Sequence, residues 1–269
     1  MEKKPEFHGS DLEQIEAYYH IPKEEIVSFG ANVNPLGLSE QLKKALASHL
    51  DVITRYPDRD YKSLKKAISK YTGVSADHIV IGNGSTELIS LLISTRTPKK
   101  ALVLGPTYSE YARELSLNGG SMDFYNLKKE QDFQLDIDDF ITTLKTDYQL
   151  AIICNPNNPT GTYVPIGELE AFADTLPEDV LLVMDEAYME FATEPDCCSM
   201  VDYIKAHPEK SILVLRTFSK YYAMAGLRVG YALGSEELIG ILRKCSASWN
   251  LNVCAQKAAV AGLADQEYY

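Results

Sequence analysis

Five short apolar runs punctuate the chain, at residues 78–81, 101–104, 150–153, 180–184 and 211–215. Runs this short, without polar alternation, suit strands covered on both faces of a sheet. Between them apolar residues recur at helical steps. Leu42, Leu46 and Leu50 follow one another every four residues behind Ser39, a candidate N-cap, and Tyr61, Leu64, Ile68 and Tyr71 repeat behind Asp60. A further helix over 108–117 is expected to close at Asn118-Gly119-Gly120, where glycine accepts a left-handed backbone. Strand and helix alternate with no internal repeat and no low-complexity linker. The pattern predicts an α/β fold with a mainly parallel sheet sandwiched by helices.

Composition narrows the partners. The 269 residues are 45% hydrophobic and 24% charged, as in ordinary globular proteins. Acids outnumber bases 38 to 26, a formal charge of −12, which disfavours nucleic acid and anionic membrane as main partners. No apolar stretch reaches the ~18 residues of a membrane span, and the first residues lack an export segment, so the expected address is cytoplasmic. Five cysteines, Cys154, Cys197, Cys198, Cys245 and Cys254, have no paired Cys-x-x-Cys spacing. Free thiols are expected, with neither metal nor disulfide.

Ligands of open parallel sheets gather beyond the carboxyl ends of the strands. Here the residues after the five runs read Gly-Asn-Gly-Ser-Thr-Glu (82–87), Gly-Pro-Thr-Tyr (105–108), Cys-Asn-Pro-Asn-Asn-Pro-Thr-Gly (154–161), Asp-Glu-Ala-Tyr (185–188) and Arg-Thr-Phe-Ser-Lys (216–220). The first is a glycine turn opening a helix, where backbone N–H groups and the helix dipole suit a phosphate. Alone it is an ordinary tight turn more readily than a phosphate site. Glu87 stands where a dinucleotide fold has its third glycine, so a nucleotide-binding domain rests on this turn alone.

Lys220 is more specific. A lysine directly after a buried strand is costly unless its amine is paired or used, and Schiff-base chemistry uses a desolvated, neutral amine. Thr217 and Ser219 precede it with hydroxyls, and Arg228 follows with a planar fork suited to a phosphate dianion. Asp185, ending a run of apolar residues, needs a cationic partner to stay ionised. A protonated pyridine nitrogen or a neighbouring Lys or Arg would each serve.

Taken in order, residues 82–87, 155–161, 185–188 and Ser219-Lys220 with Arg228 resemble the fold-type I pyridoxal-phosphate enzymes of aminotransferase class I/II. The resemblance runs from His8 to the last residue. It is closest to the histidinol-phosphate aminotransferase group and especially to threonine-phosphate decarboxylases, through His8-Gly9 and residues 29–37, 55–58 and 249–252. Ser10 and Gly30 depart from the decarboxylase pattern, which usually has glycine and serine there.

The resemblance implies pyridoxal 5'-phosphate as cofactor, with Lys220 as its covalent anchor and later as proton shuttle, and Asp185 as partner of the ring nitrogen. Asn158 and Tyr188 would hydrogen-bond the phenolic oxygen, and Tyr108 would stack on the ring. The phosphate would take N–H groups of Ser85 and Thr86, hydroxyls of Thr217 and Ser219, and Arg228. Tyr56 would reach the phosphate of a neighbouring subunit, implying a homodimer, and His8 and Asn32 would meet a small amino-acid or amino-phosphate substrate. The family pattern further implies an N-terminal arm with part of a small domain (1–37) and a large cofactor-binding domain (38–250). Residues 251–269 would begin an interdomain helix leading to a C-terminal small domain outside this sequence. That domain would carry the arginine that grips the substrate carboxylate. Decarboxylation, amino transfer and a non-catalytic cofactor-binding module all remain compatible with these residues.

Overall fold

The computed structural model describes residues 11–144 and 147–269. His8, Gly9 and Ser10 therefore lie outside the described residues.

All five apolar runs become strands: β1 (Ile79–Gly82), β2 (Lys100–Gly105), β4 (Leu150–Cys154), β5 (Leu181–Asp185) and β6 (Ile212–Thr217). Two more complete a seven-stranded sheet, β3 (Ser121–Asn126) and β7 (Gly230–Gly234), in the order β1-β7-β6-β5-β4-β2-β3. β3 escapes hydrophobic patterning because it is an edge strand with mostly exposed residues, and β7 because it is short and bounded by glycines. β7 runs antiparallel to both neighbours, while the other pairs are parallel. The other six strands thus point the same way, and their carboxyl ends share one edge.

Ten helices are described: α1 (Leu12–Tyr19), α2 (Glu40–Ala47), α3 (Lys62–Thr72), α4 (Ser85–Arg96), α5 (Glu110–Leu117), α6 (Ile137–Leu144), α7 (Ile166–Thr175), α8 (Val201–Ala206), α9 (Glu236–Cys245) and α10 (Val253–Ala264). Ser39 caps α2 by accepting from the Leu42 N–H at 3.1 Å. Leu50 falls outside that helix, in a separate 3₁₀ turn, and is exposed. Asp58, not Asp60, caps α3, accepting from the Lys62 N–H at 2.8 Å. Tyr108 precedes α5, which begins at Glu110 and closes as expected, with Gly119 at φ +74° and the Gly120 N–H bonded to the Leu115 carbonyl.

Strand alternation divides the core in two. On one side Val80, Val103, Ile152, Val183, Leu213 and Leu215 meet apolar residues of α4, α5 and α9. On the other, Ile81, Ile153, Met184 and Val214 join a cluster with α2, α3, α6, α7, α8 and α10. Continuing each strand by one residue assigns the polar ends: Asp185 and Thr217 follow the first face, Glu186 and Arg216 the second.

Gly230 is where β7 touches the turn after β1. A Cβ there would lie 2.4 Å from the Ser85 nitrogen and 2.6 Å from the Gly84 carbonyl carbon, both backbone atoms that cannot swing aside. Gly240, inside α9, has nothing within 4 Å of its would-be Cβ. Gly230→Ala is therefore expected to destabilise the protein by about 1–3 kcal/mol through overpacking. Gly240→Ala should stabilise it by up to about 1 kcal/mol by restricting the unfolded chain. Denaturant unfolding of both variants checks the pair; equal effects would mean that the β7 contact is not close.

Candidate active site

The shared strand edge surrounds a cavity of about 400 Å³. Its walls include Ser85, Thr86, Tyr108, Asn158, Asp185, Tyr188, Thr217, Ser219, Lys220 and Arg228. Ten residues singled out along 144 positions of sequence thus meet around one space. Tyr56 does not: it is 83% exposed and packs on Trp249, with ring centroids 5.1 Å apart. Asn32 lines an adjoining cavity of about 440 Å³, which shares Val33, Asn158 and Tyr188 with the first.

The loop that carries Asn158 is held by its other asparagines. The Asn155 side chain accepts from the Val164 N–H at 2.8 Å. Asn157 donates to the Pro106 carbonyl at 3.0 Å and to Thr160 Oγ1 at 2.8 Å, and accepts from Thr107 at 3.0 Å. The loop is thereby pinned to the end of β2, leaving Asn158 Nδ2 to donate to the Tyr188 hydroxyl at 3.3 Å.

Asp185 is buried, and two donors hold it: the Tyr111 hydroxyl at 2.6 Å and the Ala187 N–H at 3.1 Å. Burial raises its pKa above the usual carboxylate range, opposed by the Tyr111 and Ala187 hydrogen bonds and by the Lys220 charge. Tyr111 is the functional residue that the sequence reading missed. It looks like one more apolar position of α5, yet it lies one helical turn after Tyr108, and the two rings meet edge to face at 5.6 Å. That spacing beyond a strand end was the available signal.

Lys220 sits in the loop after β6, half-buried, and its amine donates to the Ala31 carbonyl at 2.8 Å. The arm before α2 is stitched to the same loop, with the Asn34 N–H on the Lys220 carbonyl at 3.0 Å and Asn34 Nδ2 on the Tyr221 carbonyl at 2.9 Å. Burial lowers the Lys220 pKa and the nearby Arg228 charge lowers it further, against a smaller raising effect of Asp185. The amine is accordingly neutral at lower pH than an ordinary lysine.

A cradle of donors faces these groups. Gly84, at φ +79°, precedes α4 without a side-chain cap, so the first N–H groups of that helix point to the edge. A Cβ on Gly84 would lie 2.4 Å from an Arg228 terminal nitrogen and would push the guanidinium aside, and the positive φ itself favours glycine here. Arg228 itself adopts a left-handed φ of 55° and donates to Ser219 Oγ at 3.3 Å. Thr217 donates to Ser219 Oγ at 3.0 Å. Glu87, the one acid in the turn, is turned away by the Asn83 N–H and by Asn250 Nδ2, the latter at 2.6 Å. Helix N–H groups, hydroxyls and a guanidinium are the donor set of a phosphate dianion. With an amine, a buried carboxylate and a tyrosine–asparagine pair beside them, these residues fit pyridoxal phosphate.

The chain is similar to proteins of known family in sequence and in fold. The chain is 35% identical to histidinol-phosphate aminotransferase 1 of Cupriavidus pinatubonensis over 98% of its length and 69% of that protein's. It is 33% identical to the threonine-phosphate decarboxylase of Salmonella typhimurium, over 97% and 71% of the two chains. Its fold overlays the crystal structure of histidinol-phosphate aminotransferase from Sinorhizobium meliloti in complex with pyridoxal-5'-phosphate at a TM-score of 0.86, with 27% identity, over 98% of this chain and 70% of that one. Residues 24–269 match the family aminotransferase class I and II, and the chain is a member of that pyridoxal-phosphate-dependent family.

Proposed function

We propose that the protein acts on a small phosphorylated amino acid, with decarboxylation of threonine phosphate as the leading reaction. The observation that carries the cofactor chemistry is the half-buried, pKa-lowered amine of Lys220 in one cavity with the buried carboxylate of Asp185. The substrate reading rests on the likeness of residues 29–37 and 249–252 to the decarboxylase group. Amino transfer from histidinol phosphate is the second reading, favoured by the name of the Cupriavidus relative.

Pyridoxal phosphate, when bound, supplies an electron sink for the pair left by a bond broken at the substrate α carbon. The chain's residues prepare that event. Lys220 would anchor the cofactor, and its amine would hold or move a proton at the α carbon. Asp185, fixed by Tyr111, would pair with the ring nitrogen and favour its protonated form. Asn158 and Tyr188 would donate to the phenolic oxygen, and Tyr108 would stack on the ring. Ser85, Thr86, Thr217, Ser219 and Arg228 hold the phosphate. Asn32 and His8 would meet the substrate, and Tyr56 would complete the site of a second copy in a homodimer. A cofactor-binding domain over 38–250, an arm with part of a small domain over 1–37 and the start of an interdomain helix at 251–269 belong to the same proposal. A cytoplasmic location belongs to the same proposal; no helix among the described residues is long and apolar enough to cross a membrane.

Borohydride reduction followed by mass spectrometry should find the cofactor adduct on Lys220 and none in Lys220→Ala; an adduct elsewhere would reject the anchor. Reaction class is read from products. Carbon dioxide release from threonine phosphate without a keto-acid acceptor supports decarboxylation, whereas transfer of the amino group to 2-oxoglutarate without gas rejects it.

Asp185 also predicts a pH signature in the cofactor-free protein. A carboxyl whose folded pKa is raised contributes stability below its unfolded value of about 3.9 and loses it as pH rises through the folded value. Asp185→Asn removes the ionisation, so its melting temperature should gain on wild type progressively as pH rises from about 4 through the raised folded value. A gain independent of pH, read by differential scanning calorimetry, would show that the carboxylate is not desolvated.

A further inference from the structure

Behind the active-site edge, on the opposite face of the sheet, lies a second set of charges that the reaction does not use. Arg216 Nε donates to Glu186 Oε2 at 2.8 Å, and its NH1 donates to Glu190 Oε1 at 2.6 Å. All three side chains are buried, with exposures of 7%, 0% and 5%. Glu186 is further held by the Ser199 hydroxyl and the Met200 N–H, each at 2.7 Å. Glu190 Oε2 has no hydrogen-bond partner among the described residues. Two carboxylates against one guanidinium, with an oxygen left unbonded, is a poor arrangement for stability alone.

The sequence positions supply another purpose. Glu186 directly follows Asp185, and Arg216 directly precedes Thr217. Backbone pairing of β5 with β6 ends at Asp185 opposite Leu215, with one more bond from the Glu186 N–H to the Leu215 carbonyl at 3.0 Å. Beyond it the chain turns through a short 3₁₀ segment, Met189–Phe191. Arg216 holds this turn at both ends, by Glu186 and by Glu190, and Tyr188 stands midway between them.

We propose that Arg216, through Glu186 and Glu190, is a positioning residue that clamps the 186–190 turn from behind and so sets the Tyr188 hydroxyl against Asn158. The proposal rests on the reading of Tyr188 as a cofactor contact only for its catalytic consequence; the placement of the hydroxyl is a property of the cofactor-free chain. Lysine at 216 keeps the charge but cannot span two carboxylates. Alanine at 190 frees one end of the turn, whereas glutamine there keeps an oxygen for the guanidinium and lies close to wild type.

Two measurements test the clamp, in Arg216→Lys, Glu190→Ala and Glu190→Gln. In cofactor-free protein carrying ¹³C-tyrosine, the Cζ signal of Tyr188, assigned by its loss in Tyr188→Phe, reports the Asn158 hydrogen bond. It should move in the first two variants and stay in the third. In pyridoxal-phosphate-loaded protein, the pKa of the visible absorption should rise by about half a unit to one unit in the first two, as a lost donor to the phenolic oxygen disfavours its ionised form. The turnover number should fall about tenfold with little change in KM. An unmoved Tyr188 signal in Arg216→Lys and Glu190→Ala, with only the melting temperature lowered, overturns the proposal. A moved signal without any cofactor band in wild type supports the clamp and rejects the cofactor reading instead.

Discussion

A carboxylate and an amine are brought to one sheet edge and partly stripped of water, and most of the surrounding structure can be understood as managing that strain. Burial favours the neutral form of both groups, pushing Asp185 up and Lys220 down. In the cofactor-free protein Asp185 is held by a phenol and a backbone N–H rather than by a directly bonded cation. Lys220 rests on a backbone carbonyl of the arm. Each group thus has hydrogen bonds but no full charge partner. A cationic ring nitrogen and an aldehyde carbon are the chemical complements of such a pair.

Topology makes the arrangement possible. Since β1 points the same way as β6 despite the antiparallel β7 between them, the glycine turn after β1 comes to the same edge as Asp185 and Lys220. The insertion of β7 brings its first residue, Gly230, against that turn. A side chain there would press on the backbone at Gly84 and Ser85, which is why packing and ligand binding meet at a residue with no side chain at all. The local excess of donors at this edge coexists with a formal charge of −12 because the nearby acid Glu87 is engaged by Asn83 and Asn250.

Much of this was legible in the sequence, for identifiable reasons. Parallel strands buried on both faces produce uninterrupted apolar runs, so five strands and their polar ends could be read directly. Most of the cavity-lining residues sit in the turns after those runs, where position along the chain nearly equals position in space. What escaped depends on other information. β3 has an exposed edge pattern, β7 is masked by its glycines, and the cap of α3 shifted from Asp60 to Asp58 because Tyr61 takes a left-handed φ of 54° at the helix start. Tyr111 was hidden because a tyrosine within an amphipathic helix reads as core. The three-residue step from Tyr108 marks its side of the turn, but its bond to Asp185 depends on where α5 packs relative to β5, which is a tertiary fact.

Successive residues of β5 and β6 place the two charge systems back to back. Asp185 and Thr217 face the cavity; Glu186 and Arg216 face the interior behind it. The front set lacks direct ion pairing, whereas the rear set is saturated except for one oxygen of Glu190. Burying an ion triad adds little net stability compared with apolar packing, but its directional bonds define a single geometry. Apolar side chains at 186, 190 and 216 could fill the same volume while leaving the turn free to slide along the sheet. A guanidinium that must satisfy two carboxylates at fixed angles does not allow this. The rear face therefore contributes precision to the front one, which is what a group donating to a single oxygen requires.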